Sequence, residues 1–281
     1  MKLASYTHNN IKSFGVIKND GVIDLKKKFH HKYEDLKSFI AQGGNKNLNL
    51  CKSQVDYALS EIEFLPIITN PSKIVCVGLN YHAHLEEVKR KKTKHPVIFL
   101  RVAETQIGHL QNLILPKEST SFDFEGEISV IIGKTGRRIV MEEALDYVAG
   151  YACYNDGSIR DWQLENDQWT PGKNFNGTGA LGPWMVTKED IEDEETLTLE
   201  TRVNGQVMQK STTDMLIFSI KELIVFISTF TTLHPGDVIV TGTPGGVGMK
   251  QKPQSFLKEG DIVEVEVSKI GTLKNQVKAE K

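Results

Sequence analysis

The sequence predicts an α+β fold dominated by strands, with a small N-terminal α/β appendage ahead of a larger strand-rich domain. Three observations carry this reading. Short runs of β-branched and aromatic residues, bounded by Gly, Pro, Asn and Asp, recur along the chain. Helical periodicity is confined to a few stretches, most fully developed at Leu216 to Phe230. The two patterns alternate irregularly, which argues against a doubly wound sheet or an α/β barrel.

The N-terminal unit, residues 1–70, has short alternating runs at Phe14 to Ile17 and Gly21 to Leu25, then a helical stretch from Tyr33 to Ala41. The segment Gln42-Gly43-Gly44-Asn45-Lys46-Asn47 breaks that helix. Pro66 and Pro71 bracket a linker, and residues 71–281 form the second domain. Lys73 to Gly78 reads as a buried strand. Further strands are expected at Val97 to Leu100, Leu113 to Leu115, Glu127 to Ile132, Gly150 to Tyr154, Trp184 to Thr187, Leu197 to Val203, Asp237 to Thr241 and Ile262 to Val267, with a helix at Met141 to Val148.

A chain of 281 residues, 39% hydrophobic and 25% charged, is long enough to bury a sizeable core. A formal net charge of −2 gives no electrostatic case for nucleic acid or a membrane surface as partner. The basic run Lys89-Arg90-Lys91-Lys92-Thr93-Lys94 reads as a solvated helix face or loop. No apolar run reaches membrane-spanning length, and the N-terminus lacks the apolar core of a signal peptide, so a cytoplasmic location is expected. Cys51, Cys76 and Cys153 are widely spaced, as suits reduced thiols, with Cys76 inside an apolar run.

The chemistry-bearing residues fall in three places. Glu125 and Glu127 stand one residue apart in what otherwise reads as a buried strand, so both project to one face. Two carboxylates that close repel each other and resist burial, and a divalent cation between them relieves both costs. A solvent-facing strand edge is the alternative. Asp156, before Ser158 to Gln163, is either a helix N-cap or a third acidic ligand. Arg160 and Gln163 share a helix face, and Lys173 follows; they suit either a surface ion-pair network or a site for an anionic keto acid. His84 and Glu87, three apart, suit an oriented general base, a zinc pair or an incidental contact. The cluster Gly242 to Gly248 reads as turns, because no Gly-Lys-Ser/Thr follows it.

Taken together, the motifs resemble those of the fumarylacetoacetate hydrolase family. The pattern N-Y-x-x-H-x-x-E is matched by Asn80, Tyr81, His84 and Glu87, and E-G-E by Glu125, Gly126 and Glu127. N-D-x-S-x-R-D-x-Q runs from Asn155 to Gln163, G-K-x-F from Gly172 to Phe175, and P-G-D-x-I-x-T-G-T-P-x-G-V-G from Pro235 to Gly248. The resemblance implies a mixed β-roll that assembles as a homodimer. It implies Mg²⁺ or Mn²⁺ on Glu125, Glu127 and Asp156, and a water-activating pair, His84 and Glu87, on a segment that closes over substrate. Arg160, Gln163 and Lys173 match substrate contacts, and Thr243 matches a loop residue near the substrate carboxylate.

The sequence departs from the family pattern at Gly157 and Ile159, at Asn176 to Ala180, and at Arg101, where many relatives carry Lys followed by Pro. The expected activity is hydrolysis of a carbon–carbon bond in an acylpyruvate or related 2,4-diketo acid. The metal would stabilise an enolate, His84 and Glu87 would activate water, and Lys173 would add positive charge. Decarboxylation or isomerisation of oxaloacetate-like or hydroxymuconate-like acids uses the same enolate. A non-catalytic keto-acid-binding protein is the alternative from another class, and loss of His84 or Glu87 would mark it; both are present.

Overall fold

A computed structural model describes residues 1–44, 53–193 and 195–281. It is strand-rich, as expected. Ten strands run across one large sheet in the order Tyr57–Ala58, Gly21–Asp24, Ile11–Lys18, Lys2–His8, Gly179–Thr187, Val148–Asp156, Gly126–Ile132, Val238–Val240, Ile74–Gly78 and Val97–Arg101. Off this path, Glu63–Phe64 pairs with Lys2–His8 and Gln106–Ile107 with Gly179–Thr187. A five-stranded sheet of Gln206–Thr212, Thr198–Val203, Ile262–Val267, Gly271–Ala279 and Leu113–Leu115 packs beside it. The strands on either side of the linker near residue 70 lie in one sheet, since Lys2 and Leu3 pair with Val186 and Met185.

The two central strands are buried along their whole length because the sheet separates two apolar clusters. Ile128, Val130 and Ile132 enter one cluster with Tyr151 and Cys153. Ile131 enters the other, with Ala149, Ala152 and Tyr154. Successive residues of one strand thus supply opposite cores. Extending that parity puts Glu127 and Asp156 on the same face of the sheet, at the strand ends.

Several boundaries move. The N-terminal helix is shorter than expected, Leu36–Ala41, because Asp35 caps it by accepting from the Ser38 amide. Gln42 ends it, Gly43 takes a positive φ of 68°, and Asn45 to Asn47, like Cys51, lie outside the described residues. Met141–Tyr147 forms 3-10 rather than α-helix. The C-terminal helix starts at Ile220, four residues late, because Ser219 caps it through a reciprocal bond with Glu222. Leu216 instead bridges to Tyr81. No described helix is long and apolar enough to cross a membrane.

Asn80 fixes the segment that carries His84. Its fully buried amide donates to the carbonyls of Phe218 and Thr241 and accepts from the Phe218 N–H, so three chain segments meet on one side chain. Asn80→Ala leaves the half-buried Phe218 N–H and carbonyl and the buried Thr241 carbonyl without this partner, and a loss of about 2–4 kcal/mol in unfolding free energy is expected. Urea denaturation should show a lower midpoint with an unchanged m value.

Candidate active site and metal centre

The antiparallel register of Gly126–Ile132 against Val148–Asp156 sets Gly126 opposite Asn155. Glu125 therefore lies across from Asp156, and the Asp156 N–H donates to the Glu125 carbonyl at 2.8 Å. Gly126 is required between the two glutamates because a Cβ there would sit 1.9 Å from Thr201 Oγ1 of the second sheet. Glu125, Glu127 and Asp156 offer carboxylate oxygens within 4.8 Å of one another, all buried.

The helix-cap alternative for Asp156 does not hold. The next helix begins at Arg160 behind Ile159, while Asp156 ends its strand with its carboxylate bonded to cations. Lys173, 1% exposed, reaches Glu125 at 2.8 Å and Asp156 at 2.7 Å. Its short helix, Thr170–Lys173, packs tightly on Arg160–Leu164, since a Cβ on Gly172 would meet the Gln163 nitrogen at 2.3 Å. Arg160 bonds Glu125 at 2.6 Å, Asp123 at 2.8 Å and Gln163 at 2.8 Å. The surface-network alternative for these cations fails as well, because all of them are buried.

Like charges at this spacing shift one another's protonation. Burial, reinforced by Asp156 and Glu125, raises the pKa of Glu127 well above the usual carboxylate range. Burial also works against ionised Glu125, but Lys173 and Arg160 outweigh it and hold its pKa at about 2. For Lys173 burial favours the neutral amine, and Asp156 and Glu125 overcome that, so its pKa rises and the ammonium persists.

The expected residues converge on one cavity of about 220 Å³. Its wall includes His84, Glu125, Glu127, Arg160, Gln163, Lys173 and Thr243. Glu87 stands behind His84, with one oxygen 3.0 Å from Nδ1 and the other accepting from the Gly246 N–H at 3.1 Å. The imidazole is thus held through Nδ1, with no described residue hydrogen-bonded to Nε2. The Thr243 hydroxyl is already engaged, donating to the Gly126 carbonyl and accepting from Gln209.

Three further residues belong to the assembly. Asp123 accepts from Arg160 and from the Gly248 and Met249 amides, tying the glycine-rich loop to the site. Gln209 accepts from the Gly126 N–H while donating to Thr243. Arg101, fully buried, bonds Asp156 at 2.6 Å, the Gly157 carbonyl at 2.9 Å and Thr178 at 2.8 Å. Asp123 was legible as an acid two residues before Glu125, and Arg101 as a departure from the family pattern. Gln209 carries no local signal.

The donor set suits a hard divalent cation. All three groups are carboxylates, and one ion bonding at about 2.1 Å gathers oxygens so spaced with small side-chain rotations. An ion there would also offset the burial and the repulsion from Asp156 and Glu125 that raise the pKa of Glu127.

Residues 73–278 match the family model for the fumarylacetoacetate (FAA) hydrolase C-terminal domain. The chain belongs to this family. Among curated relatives, oxaloacetate tautomerase Fahd2a, mitochondrial, of Rattus norvegicus is 43% identical over 219 residues, covering 78% of this chain and 70% of that protein. Among solved structures, the fumarylacetoacetate hydrolase of Exiguobacterium antarcticum is 32% identical with a TM-score of 0.88, and covers all of both chains. The maleylpyruvate hydrolase of Sphingobium sp. SYK-6, in complex with manganese(II) and pyruvate, is 26% identical with a TM-score of 0.84 over the full length of both.

Two outcomes are expected of the metal site. Arg101→Met frees the Asp156 carboxylate from its clamp and should weaken Mg²⁺ binding by roughly 10–100-fold in calorimetry. Because the pKa of Glu127 is raised in the metal-free protein, ion binding must expel its proton. Affinity therefore rises as pH rises toward that pKa. Calorimetry in buffers of differing ionisation enthalpy should show proton release in the wild type and none in Glu127→Gln.

Proposed function

We propose that the protein is a divalent-metal-dependent enzyme that interconverts the enol and keto forms of a 2-oxo dicarboxylic acid of the oxaloacetate type. The observation that carries this reading is the placement of one oriented imidazole, His84, on the wall of a cavity floored by Glu125, Glu127 and two buried cations, with the Asp156 carboxylate gathered beside the two glutamates. The name of the rat relative supports the choice of reaction. A Mg²⁺ or Mn²⁺ on Glu125, Glu127 and Asp156 would supply the Lewis acidity that makes a 2-oxo acid enolise readily.

The chain's own groups do the rest. Arg160 Nη2 is buried on the cavity wall without a hydrogen-bond partner among the described residues and serves as donor for the substrate carboxylate beside the keto group. Lys173 stays an ammonium and offsets charge developing on the enol oxygen. His84 moves the proton through Nε2, with Glu87 fixing the ring on the other side. In ketonisation the enol hydroxyl gives up one proton and the neighbouring carbon gains one, so no other co-reactant is consumed.

The His84 and Glu87 pair also favours a second reading. Aimed at water instead of carbon, it would hydrolyse the carbon–carbon bond of an acylpyruvate, releasing pyruvate and a carboxylic acid.

Decay of the enol absorbance of oxaloacetate separates the two from pyruvate release by acetylpyruvate. Enol decay should accelerate with Mg²⁺, stop with EDTA, and fall by about 10²–10⁴-fold in His84→Ala. Pyruvate release without enol turnover moves the assignment to hydrolysis, and silence in both assays overturns the reading.

A further inference from the structure

Four cations line the active-site cavity: Arg90, Arg160, Lys173 and Lys250. Arg160 and Lys173 are already neutralised by Asp123, Glu125 and Asp156. No described residue forms an ion pair or side-chain hydrogen bond with Arg90 or Lys250. They also differ in position. The first pair is buried on the floor, whereas Arg90 is exposed and Lys250 half-buried, which puts them at the mouth.

Both are anchored to the catalytic machinery through their backbones. The Arg90 N–H closes the end of the helix that carries His84, donating to the Leu85 carbonyl at 3.0 Å. Lys250 follows Met249, whose N–H bonds the same Asp123 that holds Arg160. The acids lining the cavity are Glu125 and Glu127, both buried at the floor, so no lining carboxylate faces this outer pair. Val88, Leu164, Trp169 and Met249 supply apolar wall to the cavity.

The charge of the floor sets what is left for the mouth to do. Asp123, Glu125, Glu127 and Asp156 face Arg101, Arg160 and Lys173, one negative charge in excess when all are ionised. A divalent ion turns that into one positive charge, which a single carboxylate of a 2-oxo acid neutralises. A second carboxylate would then enter a balanced site unless other cations met it.

We infer that Arg90 and Lys250 form a second anion subsite, and that the enzyme selects dianionic 2-oxo acids by holding their distal carboxylate there. This rests on the proposed reading of the site as a metal-dependent enzyme of 2-oxo dicarboxylic acids, and it names the residues that select for the second carboxylate. The basic run that includes Arg90 thereby gains a role beyond solvation.

The test compares oxaloacetate with 2-oxobutyrate, which differ only in whether the last carbon is a carboxylate or a methyl group. Binding of each to the Mg²⁺-loaded full chain is measured by calorimetry for wild type, Arg90→Gln, Lys250→Met and the double variant. The wild type should favour oxaloacetate by roughly tenfold or more. Each single variant should narrow that ratio by about threefold and the double variant should bring it near unity, with added KCl shrinking the wild-type ratio. Thermal unfolding checks that the variants fold. A ratio the variants leave intact overturns the subsite while leaving the proposed function standing, and binding of both acids without preference overturns the subsite and the dicarboxylate preference while leaving metal-dependent 2-oxo acid binding standing. Failure of either acid to bind the loaded wild type overturns both.

Discussion

Everything else in this structure serves the burial of four carboxylates in a space that also holds an arginine pair and a lysine. An isolated buried carboxylate is expensive, and breaking one member out of a buried pair costs about 3–5 kcal/mol. Asp123, Glu125 and Asp156 are each matched by a cation, whereas among the described residues Glu127 accepts a hydrogen bond from the Gly242 N–H alone. That asymmetry is informative. The protein compensates nearly all of the charge it buries and leaves one carboxylate whose cheapest resolution, short of staying protonated, is an added cation.

The sheet makes this arrangement possible by being rigid where the charge is dense. Glu125, Glu127 and Asp156 sit at the ends of two strands whose interiors are packed on both faces, so their spacing follows from register and not from loop geometry. The cations arrive from elsewhere: Arg101 from the edge strand Val97–Arg101, Arg160 and Lys173 from two short helices locked together at Gly172. Helices this short are not stable on their own, and it is the ion pairs and close backbone contact that hold them. The site therefore stabilises the elements that build it.

Much of this was legible in the chain. Glu125 and Glu127 declared themselves by standing inside an apolar run, and the burial of that run on both sides is what made the pattern continuous. The strands that sequence reading passed over explain its limits. Lys2–His8 and Gln206–Thr212 are rich in small and polar residues. Gly271–Ala279 does alternate, but one inward position is Asn275, whose amide is buried against the carbonyls of Gly108 and Gln111. Polar residues satisfied by distant partners erase the local signal, since the partner is absent from the sequence window. Gln209 was missed for the same reason. Its role depends on Gly126 and Thr243, both far away in the chain.

Chemistry and selectivity draw on different parts of the fold. The floor is made of strand ends and buried ion pairs, where a change of one residue leaves a charge without its partner. The outer wall comes from the helix His82–Glu87 with the segment after it, and from the glycine-rich loop, which touch the floor chiefly through backbone amides and Glu87. Side chains on those segments can change without stranding a buried charge. A family whose members are named as hydrolases and tautomerases is what such a division permits, because the buried carboxylate centre can stay fixed while the surfaces of the outer wall vary.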